Sequence, residues 1–195
     1  MLSLVLDSAN KELLVAIFKD KAKVDEIRYE AWQRQSELMI PELDKILKRN
    51  SISPKSIDEI VVTLGPGSYT GVRIALTIAK IYAYSLNIPC YAISSLAVLK
   101  NATGNSICLI NARSNRSYFG VYNEKGETII EDKVLTNSEA VAYIEEHPDC
   151  HVCGDTSYLN LSGENNDISL NMINLKNDKN RVQNILSLKA VYLKD

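Results

Sequence analysis

Histidine is almost missing from this sequence. The two present, His147 and His151, share one short stretch with Cys150 and Cys153, so any nucleophile–histidine–acid triad would have to be centred there. No Gly-x-Ser-x-Gly elbow supplies a nucleophile. Pro148, directly after His147, argues against a helix that carries both histidines on one face, and no second ligand pair occurs elsewhere. No catalytic residue and no metal ligand is therefore assigned. Excess charge is missing as well. The 22 Lys and Arg against 24 Asp and Glu leave a net charge of −2, with the basic residues scattered, so no electrostatic footprint marks nucleic-acid binding by the chain alone. No apolar run approaches membrane-spanning length, and Met1 to Asp7 lacks the basic segment of a secretion signal. Cysteine is scarce. Cys90, Cys108, Cys150 and Cys153 sit mostly in apolar, strand-like surroundings, which points to reduced thiols and a cytoplasmic protein.

What is present is enough for a core: 195 residues, 46% of them apolar, suit one domain or two small ones. The most distinctive stretch is Leu64-Gly65-Pro66-Gly67-Ser68-Tyr69-Thr70-Gly71-Val72-Arg73, between an apolar strand, Glu59 to Leu64, and a long apolar helix. Glycines permit positive φ or close approach, and Ser68 or Thr70 can cap the helix. Uncapped amides at a helix start attract anions. The loop meets neither the Walker pattern, which needs Gly-Lys-Ser/Thr, nor the dinucleotide pattern, so a plain tight connection stands beside the anion reading. Asp7, followed by Ser8 at the end of the first strand, suits a hydrated Mg²⁺ beside a nucleotide, or else a turn that caps its own backbone. The candidate nucleotide or anion site is thus Asp7, Ser8, Gly65, Gly67 and Ser68. Arg113 and Arg116, flanking Ser114-Asn115, suit an anion or simple solvation.

Around this loop the chain alternates strands and helices. Leu2 to Leu6 and Glu12 to Phe18 read as a hairpin, with an outer third strand from Lys23 to Tyr29. Ser36 to Arg49 is an amphipathic helix with Met39, Leu43, Ile46 and Leu47 on one face, interrupted by Pro41. As a crossover it places the following strand parallel to its neighbour. From Val72 to Leu86 the polar positions Arg73, Thr77, Lys80 and Tyr84 form one narrow stripe and the rest is apolar. Such a helix needs cover on two sides, from a second polypeptide or from the preceding helix and the C-terminal segment. Cys90 to Ile93 adds a strand, and Ser94 to Leu99 a helical turn or two. Asn101 to Asn105 is the candidate boundary. Beyond it come strands at Ile107 to Ile110, Ser117 to Tyr122 and Thr128 to Leu135, a helix capped at Thr136–Glu139, a short strand at His151 to Cys153, and a closing helix over Arg181 to Leu188. Both halves start with strands and add helices, which suggests a duplicated architecture.

The glycine loop through Ile74 closely resembles the signature of the TsaB (YeaZ) family of tRNA threonylcarbamoyladenosine synthesis. Supporting matches are Leu6-Asp7-Ser8, Ser36 to Pro41, Asn111-Ala112-Arg113 and Val191-Tyr192-Leu193-Lys194. Gln35 stands where many relatives have histidine, Asn111 where Asp-Ala-Arg is common, and the second half looks short. The resemblance implies an α/β fold of actin-like ATPase (RNase H-like) type. Its two subdomains, residues 1–104 and 105–195, each hold a mixed sheet with flanking helices, the last helix packing back on the first subdomain. It implies a non-catalytic subunit that binds and activates the related TsaD for threonylcarbamoyl transfer to the tRNA adenosine next to the anticodon. The ATPase TsaE joins that pair, a homodimer forms when the chain is alone, and tRNA is met only through the complex. Pairing through the first two helices would use Met39, Leu43, Leu47, Val72, Ala75, Ile78, Ala79 and Tyr82. No cofactor is required on this reading. The alternative is an autonomous phosphotransferase or acyltransferase that uses ATP and Mg²⁺, which would need Asp7, a second acidic residue from the other half, and the glycine loop to converge.

Overall fold

The computed structural model describes residues 1–31 and 33–193, which leaves Lys194 of the C-terminal match outside the described residues. Strands β1 (Leu2–Asp7), β2 (Glu12–Lys19) and β3 (Ala22–Glu30) form an antiparallel meander. Helix α1 (Gln35–Arg49) crosses over to β4 (Glu59–Thr63), which pairs parallel to β1 with Leu6 beside Val62. Helix α2 (Tyr69–Leu86) then leads to β5 (Cys90–Ile93), parallel to β4. The sheet order is β3-β2-β1-β4-β5.

The second sheet repeats the first in smaller form. Strands β6 (Ser106–Arg113), β7 (Arg116–Tyr122) and β8 (Thr128–Thr136) form the meander, α3 (Asn137–Glu146) crosses over, and β9 (His151–Gly154) returns parallel to β6, in the order β8-β7-β6-β9. Helix α3 starts on the expected capping box, with Thr136 Oγ1 accepting from the Glu139 amide and Glu139 reaching back to the Thr136 amide.

Alternation along the strands builds a layered molecule. Leu4, Leu6, Val15, Ile17, Ile60 and Val62 pack under α1 and α2. Val5, Ala16, Phe18 and Val61 point the other way, into a second core shared with Cys108 and Ile110 of β6. Ile107, Leu109, Phe119 and Val121 face α3. The two sheets therefore meet through one dry layer, which helix α4 (Ile168–Leu175) fills with Ile168, Met172, Ile173 and Leu175.

Helix α4 lies in a stretch where the sequence pattern is too sparse for an assignment, and the closing helix expected over Arg181 to Leu188 is absent. Only a 3₁₀ turn, Ile185–Ser187, forms there. Its backbone is used elsewhere: Arg181 bridges Tyr91 antiparallel, the Val182 amide donates to the Cys90 carbonyl (2.8 Å), and the Val191 amide donates to the Leu64 carbonyl (2.8 Å). Helix α1 runs through Pro41 from a start at Gln35. Residues Ala97–Leu99 form a single 3₁₀ turn.

Candidate functional site

The glycine loop is closed by the protein itself. Ser68 caps α2, its Oγ accepting from the Gly71 amide (3.2 Å), while its own amide donates to the Ala9 carbonyl (2.7 Å). Ser8 Oγ donates to the Gly71 carbonyl (2.7 Å). A Cβ on Gly67 would collide with the Ala9 carbonyl oxygen, and one on Gly71 with that of Ser8. These two glycines are spaces through which the β1–β2 turn passes, which is the close-approach use of glycine. The Gly65 amide is taken by Ser95 Oγ (3.1 Å). The structure thus brings Ser8, Gly67 and Ser68 together, but as a clamp between turn and helix. The Ser68 amide, which a phosphate cradle at this helix start would use, is thereby given to the Ala9 carbonyl.

Asp7 sits beside this clamp, buried, with Oδ1 accepting from the Ala9 amide (3.0 Å) and from the Thr63 hydroxyl. Burial raises its carboxyl above the usual aspartate range, and the Thr63 and Ala9 hydrogen bonds partly oppose that. It lines a cleft of about 280 Å³ between the two sheets, together with Lys11, Glu12, Arg28, Asp155 and Glu164. Lys11 Nζ lies 3.6 Å from Asp155 Oδ2 across the cleft. Arg28 binds Glu12 (2.7 Å), the Asn165 side chain (3.0 Å) and the Asn166 carbonyl (3.2 Å). Asp155, Lys11 and Arg28 are not singled out by the sequence pattern. For Asp155 the available signal is its place just after a parallel strand, where α/β sites gather.

A second cavity, about 380 Å³, adjoins the start of α2 and is lined by Ser68, Thr70, Asn111, Arg113, Tyr118 and Tyr192. Asn111 Oδ1 accepts from the Arg113 amide (2.8 Å), and Arg113, Ser114 and Asn115 all take positive φ. Gln35 plays a structural part. It is buried, and its Nε2 donates to the Asn10 carbonyl (3.1 Å), tying α1 to the same β1–β2 turn.

The histidines and cysteines do not converge. His147 Nδ1 meets the Tyr143 carbonyl (2.8 Å) and its ring stacks on Tyr143, His151 Nδ1 meets Glu164 (2.7 Å), and Cys153 is inside the sheet core. Among the described residues no three His, Cys, Asp or Glu side chains form a metal-holding group. No helix among them is long and apolar enough to cross a membrane.

The residues expected at a partner interface require correction. Met39, Leu43, Leu47, Val72, Ala75, Ile78 and Ala79 are buried in the chain's own core, and Tyr82 is half-buried. The reason is packing: α1 turns Met39, Leu43, Ile46 and Leu47 onto the first sheet, and α2 turns Gly71, Ala75, Ala79 and Ala83 inward, where small side chains allow close approach. The preceding helix and the C-terminal segment cover much of α2, with Val182, Ile185, Leu188 and Ala190 packed against its core. The large apolar side chains of α1 and α2 that do face outward are Ile40, Tyr69, Ile81 and Tyr84, exposed by 53%, 57%, 59% and 63%.

Comparison with known proteins places this geometry. A family model described as TsaD, tRNA N6-adenosine threonylcarbamoyltransferase, matches residues 29–162. The tRNA threonylcarbamoyladenosine biosynthesis protein TsaB of Bacillus subtilis (strain 168) is 31% identical over 153 residues, 75% of this chain and 67% of that protein. The MG208 homolog of Mycoplasma pneumoniae is 30% identical over 195 residues, 98% of this chain and 94% of that protein, so the short second half is shared with it. The solved structure of YeaZ from Pseudomonas aeruginosa superposes with a TM-score of 0.81 at 22% identity, over 98% of this chain and 99% of that one, and shares its α/β fold.

Proposed function

Because this chain belongs to the TsaB (YeaZ) family, we propose that it works in tRNA threonylcarbamoyladenosine synthesis as a non-catalytic subunit that binds and activates TsaD. The observation that carries this reading is the outward row of Ile81 and Tyr84 on α2 with Ile40 on neighbouring α1. Three large apolar side chains, each more than half exposed, stand on two adjacent helices. Exposed apolar surface of that kind marks a place where another protein sits. The pairing surface on this reading is Ile40, Ile81 and Tyr84, with half-buried Ile74 and Tyr82 also on α2. TsaE joins the pair, tRNA is met only through the complex in the cytoplasm, and the same surface serves a homodimer when TsaD is absent.

The clamp at the glycine loop supports a structural role for the motif, since the Ser68 amide and the spaces beside Gly67 and Gly71 are taken up by the β1–β2 turn. The reading assigns no required cofactor to this chain. A second reading, an autonomous Mg-nucleotide enzyme, draws on one observation: Asp7 and Asp155 come from the two halves and line one cleft.

Co-expression with TsaD of the same organism, followed by sizing and a threonylcarbamoyl transfer assay, separates the two. The pairing reading expects a joint complex, transfer only when both chains are present, and no turnover by this chain alone. Turnover of Mg-ATP by the chain alone, abolished by Asp7→Ala, supports the second reading and overturns the first.

A further inference from the structure

The polar stripe of α2 is not idle. Arg73 and Lys80, seven residues apart and so on one side of the helix, both hold the C-terminal segment. Lys80 Nζ donates to the carbonyls of Leu186 and Leu188 (3.1 Å each). The Arg73 guanidinium lies over the Tyr69 ring (3.8 Å) and near the Tyr192 ring (5.5 Å), and its Nε donates to the Tyr192 hydroxyl (2.7 Å). Tyr69 and Tyr192 stack with centroids 5.1 Å apart. Residues 181–192 thus run as a strap from the outer edge of β5, along α2, to the glycine loop at Leu64.

Like other surface stretches such as residues 123–139, it contains no buried residue. Helix α4, just before it, sinks Ile168, Met172, Ile173 and Leu175 into the shared core. Between the two lies a firm anchor, the ion pair of Lys176 with fully buried Glu59, which also accepts from Ser3 Oγ (2.5 Å). Segments with few buried apolar contacts and surface-exposed hydrogen bonds open at lower free energy than the core. The anchor at Lys176 marks where such an opening stops.

We propose that residues 181–192 are a releasable strap, latched by Lys80 and by the Tyr69–Arg73–Tyr192 stack, and that its release regulates access to α2. The regulatory half rests on the pairing role proposed above. Closed, the strap covers the side of α2 that carries Arg73 and Lys80 and borders the cavity lined by Ser68, Thr70 and Tyr192. Open, it frees more of the stripe that Tyr84 shares with Arg73 and Lys80, for a partner already seated on Ile81 and Tyr84.

The test is hydrogen exchange on the intact chain, wild type against the Lys80→Met/Tyr192→Ala double variant, with pairing to TsaD measured on the same samples. The expected result is at least tenfold faster exchange in peptides covering 181–192, unchanged exchange in β1 and β4, and at least fivefold tighter pairing. Acceleration throughout the sheets, or none in the strap, overturns the releasable unit. Faster strap exchange with pairing unchanged or weaker overturns its regulatory role. If the wild-type chain does not pair at all, the proposed function fails while the exchange result still decides the strap.

Discussion

Strands β4 and β9 hold equivalent places, each returning through a helical crossover to lie parallel to the first strand of its sheet. What leaves them differs. From β4 a five-residue turn, residues 64–68, leads into the 18-residue α2, which lies with α1 on its own sheet. From β9 a longer irregular stretch, residues 155–167, leads into the eight-residue α4, which fills the layer between the sheets. The first half consequently presents a pair of adjacent helices to the outside, and the second presents α3 alone. The surface proposed above for another protein lies on the first ending and not on the second. The second ending welds the halves together, so the cleft at Asp7 is backed by a shared core rather than an open hinge.

If the glycine loop is a clamp, substitutions that fill its spaces should be costly. Gly71→Ala, driven against the Ser8 carbonyl, is expected to lower stability by about 3 kcal/mol in urea unfolding, the upper range for overpacking. A loss under about 1 kcal/mol would mean the turn moves aside freely. In the second half the glycine that ends β9 is Gly154, with φ +97° and a Cβ position blocked by the Leu109 carbonyl. Gly154→Ala is expected to cost about 2 kcal/mol, mostly for left-handed backbone. Should the order of the two reverse, the tighter junction would belong to the second half.

Ser8→Ala removes the buried bond to the Gly71 carbonyl and is expected to cost about 1 kcal/mol. No change would show that close packing alone holds the turn on α2. The smallest effect concerns Asp132 of β8, whose carboxyl is raised chiefly by burial, opposed by bonds from Ser94 and Tyr122. A carboxyl raised in the folded state binds its proton more tightly there. Stability from this group is therefore present at low pH and lost as pH rises from the unfolded value of 3.8 through the folded one. Asp132→Asn should gain on wild type across that window in pH-dependent unfolding. A constant difference would place the Ser94 link outside any charge effect.

Much of this is readable in the residues. Alternation marks the strands of both sheets, and caps mark the starts of α2 and α3, because those signals are local. Helix α4 escapes such a reading because six of its eight residues are buried by contacts from distant strands. One clue is present: Asp167, whose side chain accepts from the Leu170 amide as an N-cap. The strap mimics a helix because Val182, Ile185 and Leu188 recur every three residues, while its backbone groups bind β5 and the loop. The orientation of α2 is hidden for another reason. Periodicity shows that a helix has two apolar sides but not which one faces inward. Gly71, Ala75, Ala79 and Ala83, spaced by four, are the legible sign of the packed side, since a helix can approach a sheet closely only along its small residues.

The central claim is that the outward side of α2, not its buried side, meets the partner. Its most direct test is copurification of TsaD with the Ile81→Asp/Tyr84→Asp variant, its fold checked by unchanged thermal unfolding. The account predicts that the wild-type chain elutes with TsaD and that the folded variant elutes alone. A folded variant that still brings TsaD through sizing at the wild-type ratio would contradict it.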